Sequence, residues 1–589
     1  MRAANSESIY RAGLFDGKVA IVTGGGTGIG KSIAHELVLL GCTVVIGARK
    51  VERVEATAAA IRADVGRILN KNVDHLVLAL PCDIRSEESV ASLVQTTLDK
   101  FKKIDFLVNN AGGQFRAPAA KINLKGWDAV VRNNLNGTFI VTKQVYHSWM
   151  KDHGGSIVNI ILVAEKGHPM MAHSAAARAG IENMSKSLAV EWASSGIRIN
   201  CVAPGIILSS GADNYDGGAK LFHEFSRKYT GAKRVGSVEE VSAAVLHYLS
   251  PASAYTTGTT LYVDGGWRLI GPIFEIPEHK NTPVTMSIRA ESAPSVFRSD
   301  LFAGKVALVT GGGTGIGRCI AHELASLGCA VVIAARNQER VEATANEIRA
   351  ELKRAGKKNA DGLVYGLKCD IRDPQQVANM VQATLAKYKK IDFLVNNGTA
   401  PRLWGSLPAL RKVLNTPSLL LKGWEAVVRT NLNGTFIVTK TVFDAYMKEH
   451  GGSIVNIILV IDKGYPGMVH SAAARAGIEN MSKTLSVEWA SSGIRVNNVA
   501  PGIVLSSGAD NYEGGEDLFH YSANKVTPAK RVGSVEEVSA AVLYYLSPAS
   551  AYTTGTTMHV DGGWHLLGPL LDVPDHKNTP AYGTIGSKL

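Results

Sequence analysis

The chain has 589 residues, with 63 Lys and Arg against 51 Asp and Glu for a formal charge of +12, and 46% of it is hydrophobic. That length exceeds what one hydrophobic core normally supports, and the composition excludes a disordered or fibrous chain. No stretch approaches about 20 consecutive apolar residues, so no membrane span is expected; the basic residues form no block, which argues against nucleic acid and leaves polyphosphate-bearing small ligands as anionic partners.

The N-terminal MRAANSESIYRAG carries no apolar run of signal-peptide length. The first patterned element, KVAIVTG, reads as a buried strand, and KSIAHELVLLG after it reads as a helix. Between them Thr23, Gly24, Gly28 and Gly30, with Ile29 inside the last pair, form T-G-x-x-x-G-x-G. Such glycines permit a tight turn and let the backbone approach a pyrophosphate at the helix N-terminus. A glycine-rich turn alone is a weak signal; its placement between strand and helix, twice in one chain, makes it a strong one.

The next strand, TVVIGAR, ends in Gly47-Ala48-Arg49-Lys50, where an acidic residue would hold the ribose hydroxyls of NAD. Arg49, without a competing carboxylate, suits a 2′-phosphate, the plain alternative being an arginine solvated at a helix start. The expected cofactor is therefore NADP(H). Downstream come Asp83 in PCDI, Asn109-Asn110-Ala111-Gly112, Asn134 in NNLNGTF, the helical HSAAARAGIENMSKSLAVEWA and Pro204-Gly205 in NCVAPGII.

The whole order then recurs from Lys305: Gly311, Gly315, Ile316 and Gly317 in the glycine turn, Arg336 ending the second strand, then Asp370, Asn397, Asn431, Ser471, Arg475, and Pro501-Gly502. The heads before each first strand match, and GPIFEIPEHKNTP from Gly271 returns as GPLLDVPDHKNTP from Gly568. A duplicated unit of this size is a complete α/β domain and too long for a solenoid repeat. Strands alternating with helices predict two tandem doubly wound, Rossmann-type parallel-sheet domains. The expected divisions are 1–284, a linker and second head at 285–300, 301–586, and a terminal tripeptide at 587–589. Cys42 matches Cys329 and Cys82 matches Cys369, so the cysteines read as reduced core residues. The copies differ after Asn397: NNAGGQF in the first becomes NNGTA in the second, followed by an expansion over 398–421; disturbed packing beside the cofactor, an altered substrate loop and an error in the gene model are equal readings of it.

Taken together, TGGGTGIG, Asp83, NNAG, NNLNG and Pro204-Gly205 resemble the short-chain dehydrogenase/reductase family over nearly all of both halves. GGSIVNIILVAEKG followed by HSAAARAG is similar to the peroxisomal trans-2-enoyl-CoA reductases and, somewhat less, to the 2,4-dienoyl-CoA reductases. The resemblance implies an acyl-CoA substrate, adenine-side roles for Asp83 and Asp370, and cofactor contacts from Asn110, Asn397, Pro204-Gly205 and Pro501-Gly502.

Most members of the family carry Tyr-x-x-x-Lys, whose lysine-tuned phenol exchanges a proton with a carbonyl oxygen. Here Ser174 and Arg178 occupy those positions, with Ser471 and Arg475 in the second copy, and Leu162 and Leu459 stand where the catalytic serine usually falls. Alcohol–ketone chemistry is not expected. The later tyrosine-lysine register of the resembling reductases falls on Glu182 and Lys186, and on Glu479 and Lys483, read here as surface i,i+4 pairs.

Reduction of a 2-enoyl thioester sends hydride to the β-carbon and charge to the thioester oxygen, so donors near that oxygen lower the barrier. The candidates are Asn134, Ser174 and Arg178 with Asn431, Ser471 and Arg475, and Arg178 is also a candidate for the nicotinamide ribose. Lys166 is a candidate for CoA phosphate. The alternatives are an Arg178 structural to its helix, a Ser174 N-cap and a solvated Lys166.

The leading function is NADPH-dependent reduction of trans-2-enoyl-CoA to saturated acyl-CoA. The alternatives are a 2,4-dienoyl-CoA reductase or another dehydrogenase of the family, and a nucleotide-binding scaffold without turnover. The chain closes with Ser587-Lys588-Leu589, the tripeptide read by the peroxisomal import receptor, which predicts a peroxisomal location. The halves are expected to dock as a pseudo-symmetric dimer, with further self-association, and no metal is expected.

Overall fold

A computed structural model describes residues 8–163, 165, 168, 170–209, 212, 217–269, 296–357, 359–398, 426–462, 469–507 and 514–566. In the first half β1 (Val19–Thr23), β2 (Thr43–Ala48), β3 (Val77–Pro81), β4 (Phe106–Asn109), β5 (Gly155–Ile160), β6 (Ile197–Pro204) and β7 (Thr260–Val263) form one sheet. Its order is β3-β2-β1-β4-β5-β6-β7, and every pairing is parallel. In the second half β8 (Val306–Thr310), β9 (Ala330–Ala335), β10 (Val364–Lys368), β11 (Phe393–Asn396), β12 (Gly452–Ile457), β13 (Ile494–Pro501) and β14 (Thr557–Val560) repeat that order.

The strands are near-continuous valine and isoleucine runs because helices cover both faces; β1 and β8 are buried at every residue. Strand order reverses between β1 and β4, where Val22 lies between Ile46 and Val108. At such a switch point the crossovers leave in opposite directions and open a crevice at the carboxyl ends of the strands. The equivalent point in the second half lies between β8 and β11.

The halves share a core. One hydrophobic cluster runs from Ile33, Val44 and Leu246 in the first half to Ile320, Val331 and Leu543 in the second. The helices Val238–Leu249 and Val535–Leu546 are buried from Glu240 and Glu537 onward, the pattern of helices enclosed on all sides. Across the junction Tyr255 Oη donates to the Arg531 carbonyl at 3.1 Å, and Tyr552 Oη donates to the Arg234 carbonyl at 3.1 Å. Gly265 N–H donates to the Tyr552 carbonyl and Gly562 N–H to the Tyr255 carbonyl, at 2.9 and 2.8 Å. Each contact is thus made twice with the roles of the halves exchanged, a two-fold arrangement inside one chain. The heads join as well, through a Tyr10–Phe297 antiparallel bridge with stacked rings 6.2 Å apart.

All six cysteines are unpaired thiols, five of them buried. Burial pushes Cys82 up to about 11 and Cys201 up to about 12, so they stay protonated. Among the described residues no helix is long and apolar enough to cross a membrane, and no group of His, Cys, Asp or Glu is arranged to hold a metal ion.

Candidate active site

The site grows from the carboxyl ends of β1 and β4. Thr23 is 1% exposed, and its hydroxyl accepts from the backbone N–H groups of Asn110 and Ala111, both at 3.1 Å. Asn110 returns the contact, its amide donating to the Thr23 and Gly24 carbonyls at 3.2 and 3.1 Å. Thr310, Asn397, Gly398 and Gly311 repeat this arrangement. The departure from NNAG therefore leaves the backbone contacts intact as far as Gly398, and the rest of the 398–421 expansion lies outside the described residues.

Gly24 and Gly28 have φ of +65° and +53°, in the region that favours glycine. A Cβ on Gly30 would stand 2.4 Å from the Gly24 carbonyl oxygen, and one on Gly317 would stand 2.3 Å from that of Gly311. The glycines thus let the turn fold flat against the helix that follows, Gly28–Leu39 or Gly315–Ser326, while Ile29 and Ile316 pack against the core.

The first turns of these two helices contain no acidic residue, and Thr27 and Thr314 make no side-chain cap. Some helices elsewhere are capped: Ser86 accepts from Ser89 N–H, and Ser237 and Glu240 close a capping box. An uncapped N-terminus behind a glycine turn has free N–H donors and the positive end of the helix dipole, which fits a pyrophosphate.

Arg49 and Arg336 lie exposed just past β2 and β9. Asp83 accepts a two-pronged contact from Arg85, at 2.9 and 2.6 Å, which together with Arg49 nearby holds its carboxyl down at about 2. Asp370 is held down in the same way by Arg372, with Arg336 nearby. On the far side of the crevice Gly205 N–H donates to the Val263 carbonyl at 2.9 Å, and a Cβ there would stand 2.6 Å from the Asp264 Cα. Pro204-Gly205 and Pro501-Gly502 therefore bring the ends of β6 and β13 tight against β7 and β14.

Asn134 lies in a π turn, Arg132–Asn136, inserted between the helices Leu124–Val131 and Gly137–Val145. The widened turn turns Asn134 inward, where it is 2% exposed; its amide oxygen accepts from Gly113 N–H and its amide nitrogen donates to the Gly113 carbonyl, both at 2.9 Å. Ser174, in the helix Ala172–Glu191, donates to Gln114 Oε1 at 2.7 Å and accepts from the Arg178 guanidinium. A Cβ on Gly112 would stand 2.8 Å from Asn134 Oδ1 and 3.1 Å from Arg178 Nη2. Asn134, Ser174 and Arg178 thus converge on Gly112–Gln114.

In the second half Arg475 donates to Ser471, and Asn431 is buried in the matching π turn Arg429–Asn433. The segment they would meet lies outside the described residues, as do Lys166 and Ser587-Lys588-Leu589. Glu182 accepts from Thr260 Oγ1 at 2.9 Å with Lys186 Nζ 3.6 Å away, and Glu479 does the same with Thr557 and Lys483. These pairs brace the helix against the last strand.

Two features escaped sequence reading. One is a buried relay in which Asn109 donates to Thr142 and Asn159, and Asn159 donates to Ser185, each at 2.8 Å; Asn396, Thr439, Asn456 and Ser482 repeat it. Its signal was the asparagine at the end of two apolar strands in both copies. The other is His173, in the first turn of the helix Ala172–Glu191.

The family model described as Enoyl-(Acyl carrier protein) reductase matches residues 24–268 and again 311–565. A peroxisomal 2,4-dienoyl-CoA reductase of Danio rerio is 38% identical over 44% of this chain and 84% of its own length. An uncharacterized short-chain type dehydrogenase/reductase of Sinorhizobium fredii is 28% identical over 93% of this chain and 92% of its own. Among solved structures, a citronellol catabolism dehydrogenase of Pseudomonas aeruginosa is 43% identical over 44% of this chain and 98% of that one, with a TM-score of 0.38. With the family model covering most of both halves, the chain belongs to the short-chain dehydrogenase/reductase family of NAD(P)(H)-dependent oxidoreductases, whose domain it carries twice.

Proposed function

We propose that the protein reduces the 2,3-double bond of trans-2-enoyl-CoA thioesters with NADPH. The observation that carries this reading is the convergence of Asn134, Ser174 and Arg178 on Gly112–Gln114, with Ser174 and Arg178 at the positions where a carbonyl reductase would place a tyrosine and a lysine. Bound NADPH supplies a hydride to the β-carbon. The π pair moves to the thioester oxygen, where the Ser174 hydroxyl and the Arg178 guanidinium stabilise the enolate before the α-carbon takes a proton. Asn134 holds the Gly113 backbone, so the segment keeps its shape as charge develops.

The uncapped helix Gly28–Leu39 holds the pyrophosphate, and Arg49 receives the 2′-phosphate. A 2,4-dienoyl-CoA substrate is the second reading, favoured by relatives of that name at 36–38% identity. NADPH oxidation followed in parallel with a trans-2-enoyl-CoA, a 2,4-dienoyl-CoA and a 3-ketoacyl-CoA decides between them, and turnover of the 3-ketoacyl-CoA alone overturns the proposal. The same reading puts the protein in the peroxisome, as those relatives are named. Deleting residues 587–589 should leave turnover unchanged and abolish import.

A further inference from the structure

His173 is fully buried in the first turn of the helix Ala172–Glu191, one residue before Ser174. Its Nδ1 accepts from the Ser174 backbone N–H at 2.9 Å. A nitrogen that accepts from an N–H carries no proton of its own, so the ring is neutral and its proton sits on Nε2. That Nε2 has no hydrogen-bond partner among the described residues. Buried donors are ordinarily satisfied, and an unsatisfied one among groups of a reaction site is a candidate for a partner that arrives with the substrate.

The surroundings specify which partner. Gln114 bonds Ser174, and the next residue, Phe115, packs its ring at right angles on the imidazole with centroids 4.4 Å apart, so one stretch of chain covers both side chains. The Phe115 ring is 42% exposed.

We infer that His173 is a further donor to the thioester oxygen, its neutral imidazole giving an Nε2–H hydrogen bond to the oxygen that becomes the enolate. This rests on the enoyl-thioester reading above. The step balances without His173 losing a proton: hydride and its electron pair go from the cofactor to the β-carbon, the π pair goes to the oxygen, and as the enolate collapses the α-carbon takes its proton from solvent water. A neutral imidazole is a poor acid and a serviceable electrophile, so its contribution is electrostatic.

The test uses the full chain labelled with ¹⁵N-histidine. The resonance absent from His173→Phe should show a proton on Nε2 and should shift when hexanoyl-CoA is added. A proton on Nδ1, or a resonance that hexanoyl-CoA leaves in place, overturns the assignment whether or not the protein turns over enoyl thioesters. In turnover of trans-2-hexenoyl-CoA, His173→Phe should lower kcat about 10- to 100-fold with NADPH affinity unchanged, and His173→Gln, which keeps an N–H donor, should recover part of the loss. An unchanged kcat in His173→Phe defeats the inference while leaving the proposed reaction standing; absence of any enoyl or dienoyl turnover in the parent defeats the reaction, and the resonance still decides the role of His173.

Discussion

The two halves agree in one region and part in another. Around the glycine turn the duplication is faithful down to single hydrogen bonds: Thr23, Asn110 and Gly24 are matched by Thr310, Asn397 and Gly311, and the asparagine relay is the same in both. At the ends of β7 and β14 they differ. In the first half the Arg268 side chain is 3% exposed, pairs with Glu165 at 3.3 Å and Asp264 at 3.3 Å, and lies over the Tyr262 ring. The second half has His565 on Asp561 at 2.7 Å and His559 on Asp462 at 2.6 Å, the two imidazoles stacked 4.2 Å apart.

The helix beyond β6 differs too: Gly218–Tyr229 carries Lys220, Arg227 and Lys228, whereas Gly515–Val526 opens with Glu516 and Asp517. The surroundings of the glycine turn have stayed the same, while the ends of β7 and β14 and the helix beyond β6 have drifted. A polyanionic CoA ester fits the basic version better than the acidic one.

The sharpest way to break this comparison is to disable one turn at a time. Gly30→Val should lower enoyl reduction by about 100-fold or more, because its Cβ meets the Gly24 carbonyl and displaces the cofactor. Gly317→Val, with the same clash against Gly311, should leave most turnover in place. Unfolding curves for both variants check that the shared core survives, and the reverse pattern would assign the chemistry to the second half.

A comparable loss, about 100-fold in kcat, is expected for Arg178→Met, against less than about twofold for Arg475→Met. Steady-state kinetics on the same substrate separates the two. Losses of equal size would mean that both halves turn over.

Cofactor choice should respond more modestly. The parent should bind NADPH at least about ten times more tightly than NADH, and Arg49→Ala with Arg336→Ala should remove most of that preference. Titration of tryptophan fluorescence with each nucleotide measures it, and equal affinities in the parent would remove the role of the arginines.

The smallest effect concerns the junction. His247 meets Tyr544 across the two halves with ring centroids 4.6 Å apart, and burial pushes its imidazole down to about 3. A histidine kept neutral in the folded state stabilises it fully above the unfolded value near 6.5 and progressively less as the pH falls from there toward 3, by up to about 1.4 kcal/mol per pH unit. Glu323 works in the opposite sense: burial pushes its carboxyl up to about 7, so its contribution declines as the pH rises from about 4.5 to 7. His247→Tyr, which copies the residue at 544, should flatten the acid limb of urea-unfolding stability measured from pH 4 to 7 and leave Glu323's contribution untouched. An unchanged acid limb would mean that protons are taken up elsewhere.

How much could be read in the chain follows from how local each feature is. The repeat, the strand–glycine–helix turns, the arginines after β2 and β9, and the family were legible because each is a short contiguous pattern with one physical reason behind it. Ser174 and Arg178, one helical turn apart, were legible as a pair for the same reason. Gln114 as the partner of Ser174, and Asn134 as the clamp on Gly113, were not, because they depend on the segment after β4 meeting a π turn and the helix Ala172–Glu191, which are distant in sequence. His173 was passed over because a histidine in the first turn of a helix has no signature until its two nitrogens can be told apart by what surrounds them.

By itself the sequence determined that there are two copies of one α/β unit, that each carries a glycine turn between its first strand and helix, and that neither carries the usual tyrosine and lysine. These follow from periodicity and from residue types at fixed spacing, which the chain states without folding. Only the tertiary structure decided that the halves share one core through exchanged Tyr255 and Tyr552 contacts, and which side chains surround Gly112–Gln114. Those are relations between residues far apart in the chain, and burial and hydrogen-bond satisfaction bring such residues together in ways that no local pattern encodes.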